Sequence, residues 1–520
     1  MFWADKIEKD LGANEIINDS KTPSGRVHVG SLRGVLIHYM IWKVLTEAGK
    51  KPTFLYGTDD YDPVDDLPHG ISKEWKQYMG MPLCQVPSPE PDKADNFADY
   101  YMKEFIEIFN TLGIHPQVYK MSDFYKSGRM NEAIEILLNH EDVIREIYLS
   151  VSGSQKPDSW HPFQTVCEKC GKIGTTLVHS FDGKEVEYTC EPEMVKWAKG
   201  CGYRGKVSPF DGKGKLPWKL EWVAKWKVLG VTVEGAGKDH SSDGGSRDVS
   251  SEIFRRVFDG KPPYNVPYEF FLTGKKKMSS SKGIGSSSQD IAELIPPELL
   301  RFLMIRYPPH GVIDFNPSGD TIPRLFDEYD RCANLYFDRE EDKEESLDRA
   351  FELAQMDQDH LDTRFLPRFS TIATLIQIPG LDLNSKVKQM KKDSLTDNDI
   401  KELESRIHYS KVWLEKSANE AHKFEVVKEV SDDIKSQVTD QQKQFIDLVL
   451  TIFDQKELEG EEIHQQIYEA TQTIGIKPGE GFKTIYKVFL GKAQGPRIGT
   501  FLAALDKSFV INRLKEVLNN

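Results

Sequence analysis

Three groups of residues in this sequence have the types and spacing to do chemistry. The first is Thr22-Pro23-Ser24-Gly25-Arg26-Val27-His28-Val29-Gly30-Ser31, a turn between an apolar run and a longer amphipathic one. A helix starting there presents free backbone N–H groups and the positive end of its dipole, which favours phosphate. Gly30 carries no side chain, so a flat base can lie against the backbone, and His28 can donate to a phosphoryl oxygen as charge builds. The second is Gly274-Lys275-Lys276-Lys277-Met278-Ser279-Ser280-Ser281-Lys282-Gly283, a strap of amines and hydroxyls. Phosphoryl chemistry on a triphosphate relies on positioning and positive charge, and such a strap offers both. Taken singly, each segment has an ordinary explanation: a helix start with an incidental histidine, or a solvated basic loop. As a pair they point to one triphosphate held between two distant loops.

The third group is Cys167, Cys170, Cys190 and Cys201, four of the six cysteines in the chain. Cys167-Glu168-Lys169-Cys170-Gly171 has the two-residue spacing and trailing glycine that turn two thiolates toward one metal. Four thiolates suit tetrahedral Zn²⁺. Ten residues separate Cys190 from Cys201, so His179 stays open as a substitute for one ligand. A closed set of four thiolates leaves no position for chemistry. The site is therefore expected to be structural, contributing on the order of 10 kcal/mol to folding.

The elements that must position these groups follow from the pattern of apolar residues. Glu15–Asn18 and Pro52–Gly57 read as strands, with a helix from near His28 to Glu47 between them. Strand, helix, strand implies a parallel sheet with a site at the carboxyl ends of its strands. Segments 97–113 and 131–150 read as helices, and 228–233 and 268–272 as further strands. The stretch 160–206, rich in Gly and Lys, reads as an insertion. The run Arg339–Glu345 reads as a charged boundary, after which the chain is almost entirely helical.

The 520 residues suffice for several packed domains. The net charge of −14 argues against a nucleic-acid binder that uses its whole surface, yet leaves room for a local basic face. Met1–Lys6 is not a signal peptide, and no apolar stretch has the length of a membrane span.

Two segments carry a resemblance. Lys277 to Lys282 is similar to the "KMSKS" loop of class I aminoacyl-tRNA synthetases, and His28 to Ser31 to their "HIGH" motif. Ser31 replaces the second histidine and Ser280 the second lysine. The form Lys-Met-Ser-Ser-Ser-Lys, with Pro-Ser-Gly-x-x-His-Val-Gly upstream, resembles class I lysyl-tRNA synthetases in particular. So do Gly57–Pro63, Leu216–Trp222, Gly237–His240, Gly244–Asp248, Pro267–Phe270 and Gly495–Phe501. Where Arg-Lys follows the Asp-Pro element in that family, this chain has Val64-Asp65-Asp66.

The resemblance implies an α/β fold. A Rossmann-like parallel-sheet catalytic domain over 1–290 would carry a connective insertion at 95–225, with a zinc module at about 160–206. A linker at 291–345 and an all-α anticodon-binding region at 346–520 would follow. It implies ATP as substrate with Mg²⁺ on its phosphates, L-lysine and tRNA(Lys) as partners, a cytoplasmic location, and neither membrane nor obligate protein partner.

His28, Lys277 and Lys282 would be catalytic. Pro23, Ser24, Gly25, Gly30, Ser31, Met278, Ser279, Ser280 and Ser281 would join His28 around ATP. Thr22, Trp218, His240 and Tyr268 would bind the amino acid, with one of Asp59, Asp60 and Asp62 pairing its ammonium; turn capping is the ordinary role for each of those three acids. Lysine would react with ATP to form lysyl-adenylate, and tRNA would then take the acyl group. Two other readings stay open: a class I synthetase for glutamate, arginine or cysteine, and a silent relative that binds tRNA without charging it.

Overall fold

A computed structural model describes residues 1–277, 287–338, 347–356, 361–455 and 458–519. The chain divides into two compact units. The first holds residues 1–292, 297–315 and 340–356; the second holds 293–296, 316–339 and 357–520.

The first unit is organised by a parallel sheet. β1 (Ile16–Lys21) and β2 (Thr53–Thr58) pair from Ile16 opposite Thr53 to Lys21 opposite Thr58. β3 (Gln117–Lys120) runs parallel along the other edge of β2. Beyond β1, Val233 forms a parallel bridge to Ile17, and Tyr264 forms one to Val233. The lateral order is thus β3, β2, β1, then the segments at 233 and 264. The winding direction reverses beside β1, and open α/β sheets bind ligands outside the strand ends at such a reversal.

The crossover from β1 to β2 is helix α1 (Ser31–Glu47). Its Leu32, Val35, Leu36, Ile37, Met40 and Ile41 are essentially inaccessible. A helix apolar on most sides packs inside the unit rather than on its surface. No side chain caps its first turn and no acid lies there, so its positive end stays uncompensated. Arg33, also buried, sends Nη2 to the carbonyls of Pro308 (3.2 Å), Pro309 (3.0 Å) and Gly311 (2.6 Å). The helix start is thereby fixed to a loop far along the chain.

The cysteine-bearing insertion forms an antiparallel sheet of β4 (Thr176–Phe181), β5 (Val186–Cys190) and β6 (Arg204–Val207). After it come α2 (Trp218–Leu229) and α3 (Ser246–Val257). Then β7 (Phe271–Thr273) pairs antiparallel with β8 (Lys276–Lys277) and parallel with β9 (Ile313–Asp314).

The second unit is helical throughout its described residues. Its longest helices are Thr321–Asp338, Asp397–Lys416 and Asp440–Gln455. Phe445, Ile446, Val449, Ile467, Ile485, Phe489, Phe501 and Leu514 form its core. Within it Arg406, fully buried, is held by Asp330 and by Glu402 at 2.7 Å.

Three sequence expectations need correction. Val228 and Leu229 end helix α2, because Gly230 adopts φ +67° and stops it; only Val233 of that stretch joins the sheet. The helix expected over 131–150 is two, Asn131–Asn139 and Glu141–Ser152, broken at His140. The strand expected over 268–272 is two short pieces, Pro267–Tyr268 and Phe271–Thr273. The charged run at 339–345 lies outside the described residues.

Arg33→Met is expected to take the Arg33 donor from the Gly311 carbonyl, and one of two donors from those of Pro308 and Pro309, and to lower stability by about 1–3 kcal/mol, read from denaturant unfolding. An unchanged midpoint would show that the link carries no load.

Candidate active site and cysteine cluster

The turn from β1 into α1 places its predicted residues at the carboxyl end of the sheet. His28 makes an antiparallel backbone bridge with Ser287. Ser288 reinforces it, donating its N–H (2.9 Å) and its Oγ (3.1 Å) to the Val27 carbonyl. β8, ending at Lys277, lies on the near side of the lysine-rich strap, and Ser287 follows its far side. Ser287, four residues past the end of the strap, is thus fixed beside His28. Met278, Ser279, Ser280, Ser281, Lys282 and the Lys277 side chain lie outside the described residues. Pro23 and Gly25 are buried, while Ser24, Gly30 and Ser31 are half-buried around the turn.

At the same strand ends the three predicted acids are already engaged by the protein's own donors. Lys225 Nζ stands 2.8 Å from Asp59 Oδ1 and donates to Ser20 Oγ at 2.8 Å. Asp60, buried, accepts the Ser122 N–H at 2.8 Å and its hydroxyl at 2.5 Å. Asp62 accepts Thr22 Oγ1 at 2.6 Å and pairs with Lys215. Lys215 also lies 3.1 Å from Glu221, which accepts the Tyr125 hydroxyl at 2.7 Å.

Burial pushes Glu221 up to about 7 against the pull of Lys215. Burial also acts to raise Asp62, but attraction to Lys215 and the bonds from Lys215 and Thr22 outweigh it and hold Asp62 below its ordinary value. Asp62 is thus a buried charge kept ionised by pairing, whereas for Glu221 burial outweighs the pull of Lys215.

Deeper along β1, Asp19 is differently placed. His38 Nδ1 lies 3.7 Å from Asp19 Oδ2, but both ring nitrogens of His38 are committed. Nδ1 is 2.7 Å from the Gly34 carbonyl and must donate to it; Nε2 accepts the Gly235 N–H at 2.7 Å. That ring is the neutral Nδ1–H tautomer and brings no positive charge. Among the described residues no lysine or arginine nitrogen pairs with Asp19. Burial raises the Asp19 pKa above the ordinary carboxylate range, while burial lowers that of Lys21 two residues on.

Trp218, Trp222 and His240 lie side by side. Trp218 is 47% exposed, and its ring lies 5.4 Å from that of His240 and 6.4 Å from that of Trp222. Tyr268 continues the strand pairing at Gly237, and its hydroxyl approaches Gly34 on α1. Below them Glu234 receives only neutral donors, Asn18 Nδ2 at 2.7 Å and Trp222 Nε1 at 2.8 Å, together with Trp226 Nε1.

Sequence reasoning missed Asp19, Lys215, Glu221, Lys225 and Glu234. A signal existed for two of them. Trp218, Glu221, Trp222 and Lys225 recur at three- and four-residue spacing, so they share one face of α2. In the helical unit Phe501 is core, Arg497 pairs with Glu461 at 2.6 Å, Lys487 reaches Gln437 at 3.3 Å, and Lys492 binds the Glu420 carbonyl at 3.1 Å.

The Sγ atoms of Cys167, Cys170, Cys190 and Cys201 all lie within 4.8 Å of one another. Cys167 and Cys201 are 3.6 Å apart, and Cys170 and Cys190 are 3.7 Å apart. Ligands at about 2.3 Å around a tetrahedral ion sit about 3.8 Å from each other, so the donors fit. The Cys201 N–H and the Thr175 hydroxyl each stand 3.3 Å from Cys190 Sγ. His179 is not in the cluster; its Nε2 bonds Thr189 Oγ1 at 2.8 Å.

Lys215→Met is expected to strand Asp62 and Glu221 as buried unpaired acids and cost about 3–5 kcal/mol in chemical denaturation. Adding Glu221→Gln should restore part of that stability. A single variant as stable as the parent would contradict the pairing.

Comparison with known proteins bears on the whole chain. The family model described as "tRNA synthetases class I (K)" matches residues 1–357, and one described as "Anticodon binding domain" matches residues 372–518. A lysine–tRNA ligase of Thermoplasma acidophilum is 34% identical over 100% of this chain and 99% of its own length. Those of Thermoplasma volcanium (35%; 100% and 99%) and Archaeoglobus fulgidus (34%; 100% and 100%) are similar to the same extent. With a reversed parallel sheet, a histidine turn tied to the basic strap and both family models spanning its length, the chain belongs to the class I tRNA synthetases of the lysine type.

Proposed function

We propose that the protein ligates L-lysine to tRNA(Lys), forming lysyl-adenylate from lysine and ATP, with release of pyrophosphate and then AMP. The observation that carries this reading is the backbone bridge between His28 and Ser287. It joins the histidine turn to Ser287, four residues past the end of the lysine-rich segment, which supports one triphosphate site served by both. The relatives that match along their full length are lysine–tRNA ligases.

In this reading the lysine carboxylate attacks the α-phosphorus in line with the departing pyrophosphate, so no covalent enzyme intermediate forms. Pro23, Ser24, Gly25, Gly30 and Ser31 shape the nucleotide seat. His28 donates to a phosphoryl oxygen, and Lys277 and Lys282 follow the charge that develops as pyrophosphate leaves. Ser280 stands where a second strap lysine is common in the class, which leaves Lys282 to supply that charge. Mg²⁺ accompanies the phosphates of ATP. Trp218 and Tyr268 cover the stem of the amino acid, while Thr22 and His240 bond its polar ends. The terminal ribose hydroxyl of tRNA then attacks the acyl carbon, with the helical unit reading the anticodon. The work takes place in the cytoplasm, and none of the described helices is long and apolar enough to cross a membrane.

The four cysteines would hold a structural Zn²⁺, whose chemistry when bound is to cross-link β5 and β6 to the Cys167–Cys170 turn. Purified protein is expected to contain one equivalent of zinc by elemental analysis. Cys170→Ser should lose it and unfold the insertion at lower temperature; a variant that keeps its zinc would remove Cys170 from the ligand set.

The decisive experiment offers each amino acid separately with total tRNA. Lysine alone is expected to be charged, and His28→Ala to lower the rate by about 100- to 1,000-fold while leaving tRNA binding unchanged. Charging with glutamate, arginine or cysteine instead would favour a different member of the class. No charging at all would mark a silent tRNA-binding relative.

A further inference from the structure

Most carboxylates at the open end of the sheet have a protein cation or hydroxyl on them: Asp59 has Lys225, Asp62 has Lys215, and Asp60 has Ser122. Glu234 is closed off by two indoles and an amide. Asp19 is the exception. It keeps a side chain 16% exposed, and among the described residues only the Ser20 N–H donates to its carboxylate, at 2.9 Å. The ring beside it, His38, is locked neutral by Gly34 and Gly235.

Asp19 has a phenol for a neighbour. Position 34 on α1 is glycine, and a Cβ there would stand 2.8 Å from the Tyr268 hydroxyl and 3.2 Å from Asp19 Oδ2. Glycine inside a helix costs about 1 kcal/mol relative to alanine. Here it lets the carboxylate and the phenol both close on one point of the helix. An ammonium has three donors and no acceptor, so two neighbouring oxygens match it.

Depth decides which ammonium. Asp19 lies opposite Tyr56, two residues inside the strand ends where Lys21 meets Thr58. At about 3.3 Å per residue, the three residues from Asp19 to Thr22 set it roughly 10 Å behind the nucleotide turn. That suits the far end of a four-carbon stem whose carboxylate faces the phosphates. The α-amino group would stay near the strand ends.

We infer that Asp19, with the Tyr268 hydroxyl beside it against Gly34, is the acceptor for the ε-ammonium of the amino-acid substrate and sets the specificity for it. The inference rests on the reading of the protein as a lysine ligase. Asp19 is the counter-ion that none of Asp59, Asp60 and Asp62 can be without giving up its present partner.

The test compares lysine with its neutral analogue 6-hydroxynorleucine in tRNA-dependent pyrophosphate exchange by full-length enzyme. In Asp19→Asn the KM for lysine is expected to rise roughly 30- to 100-fold, the KM for ATP to stay unchanged, and the preference for lysine over the analogue to shrink toward unity. Gly34→Ala, whose Cβ would press on the Tyr268 hydroxyl and on Asp19 Oδ2 without removing a charge, should also raise the lysine KM while leaving that for ATP alone; it carries the test if Asp19→Asn does not fold. Unaltered lysine KM and preference in either folded variant would overturn the assignment of Asp19 while the ligase reading stands. A parent enzyme that activates another amino acid and not lysine would overturn both.

Discussion

Buried charge is tolerated only when it is paired, and that constraint organises the open end of this sheet. Lys215 and Lys225 are nearly inaccessible ammonium groups, each seated on a strand-end carboxylate. Without them, Asp59, Asp62 and Glu221 would be three anions crowded at one point, where any ligand carrying phosphates would be repelled. Pairing neutralises that crowd and fixes the loops after β1 and β2. A mouth lined with compensated acids can receive both an anionic nucleotide and a cationic amino acid, provided one carboxylate is left for the latter.

The topology explains why these groups meet. Two parallel strands need a crossover, and α1 supplies it while directing its uncompensated amino end at the mouth. The helix is anchored twice, by its apolar flank in the core and by Arg33 on the 308–311 loop. Lys276 and Lys277 are held by the β7–β8 pairing, and Ser287 by its bridge to His28. These are backbone hydrogen bonds, which depend little on side-chain identity.

Much of this was legible in the sequence because it depends on local pattern. The β1–α1–β2 unit, the helical second half and the four-cysteine cluster follow from periodicity, helix breakers and ligand spacing. What escaped depends on contacts between residues remote in the chain. Nothing near Asp19 announces that its neighbouring histidine will be neutral, since that is fixed by Gly34 and Gly235. Asp59 and Asp62 looked free because the lysines that hold them lie more than a hundred residues away. Strand 228–233 was misjudged because an apolar run reads alike at the end of a helix and in a strand, and Gly230 decides between them. His179 looked equivalent to a cysteine by spacing, but the β4–β5 pairing turns it to Thr189.

The most direct measurement of the central claim is a structure of the enzyme bound to a non-hydrolysable lysyl-adenylate mimic, a lysyl sulfamate of adenosine. The account predicts the sulfamate within hydrogen-bond reach of the residue 28 imidazole, the strap amines on its other side, and the terminal ammonium on the Asp19 carboxylate. A mimic seated elsewhere, or one whose sulfamate touches neither loop, would contradict it.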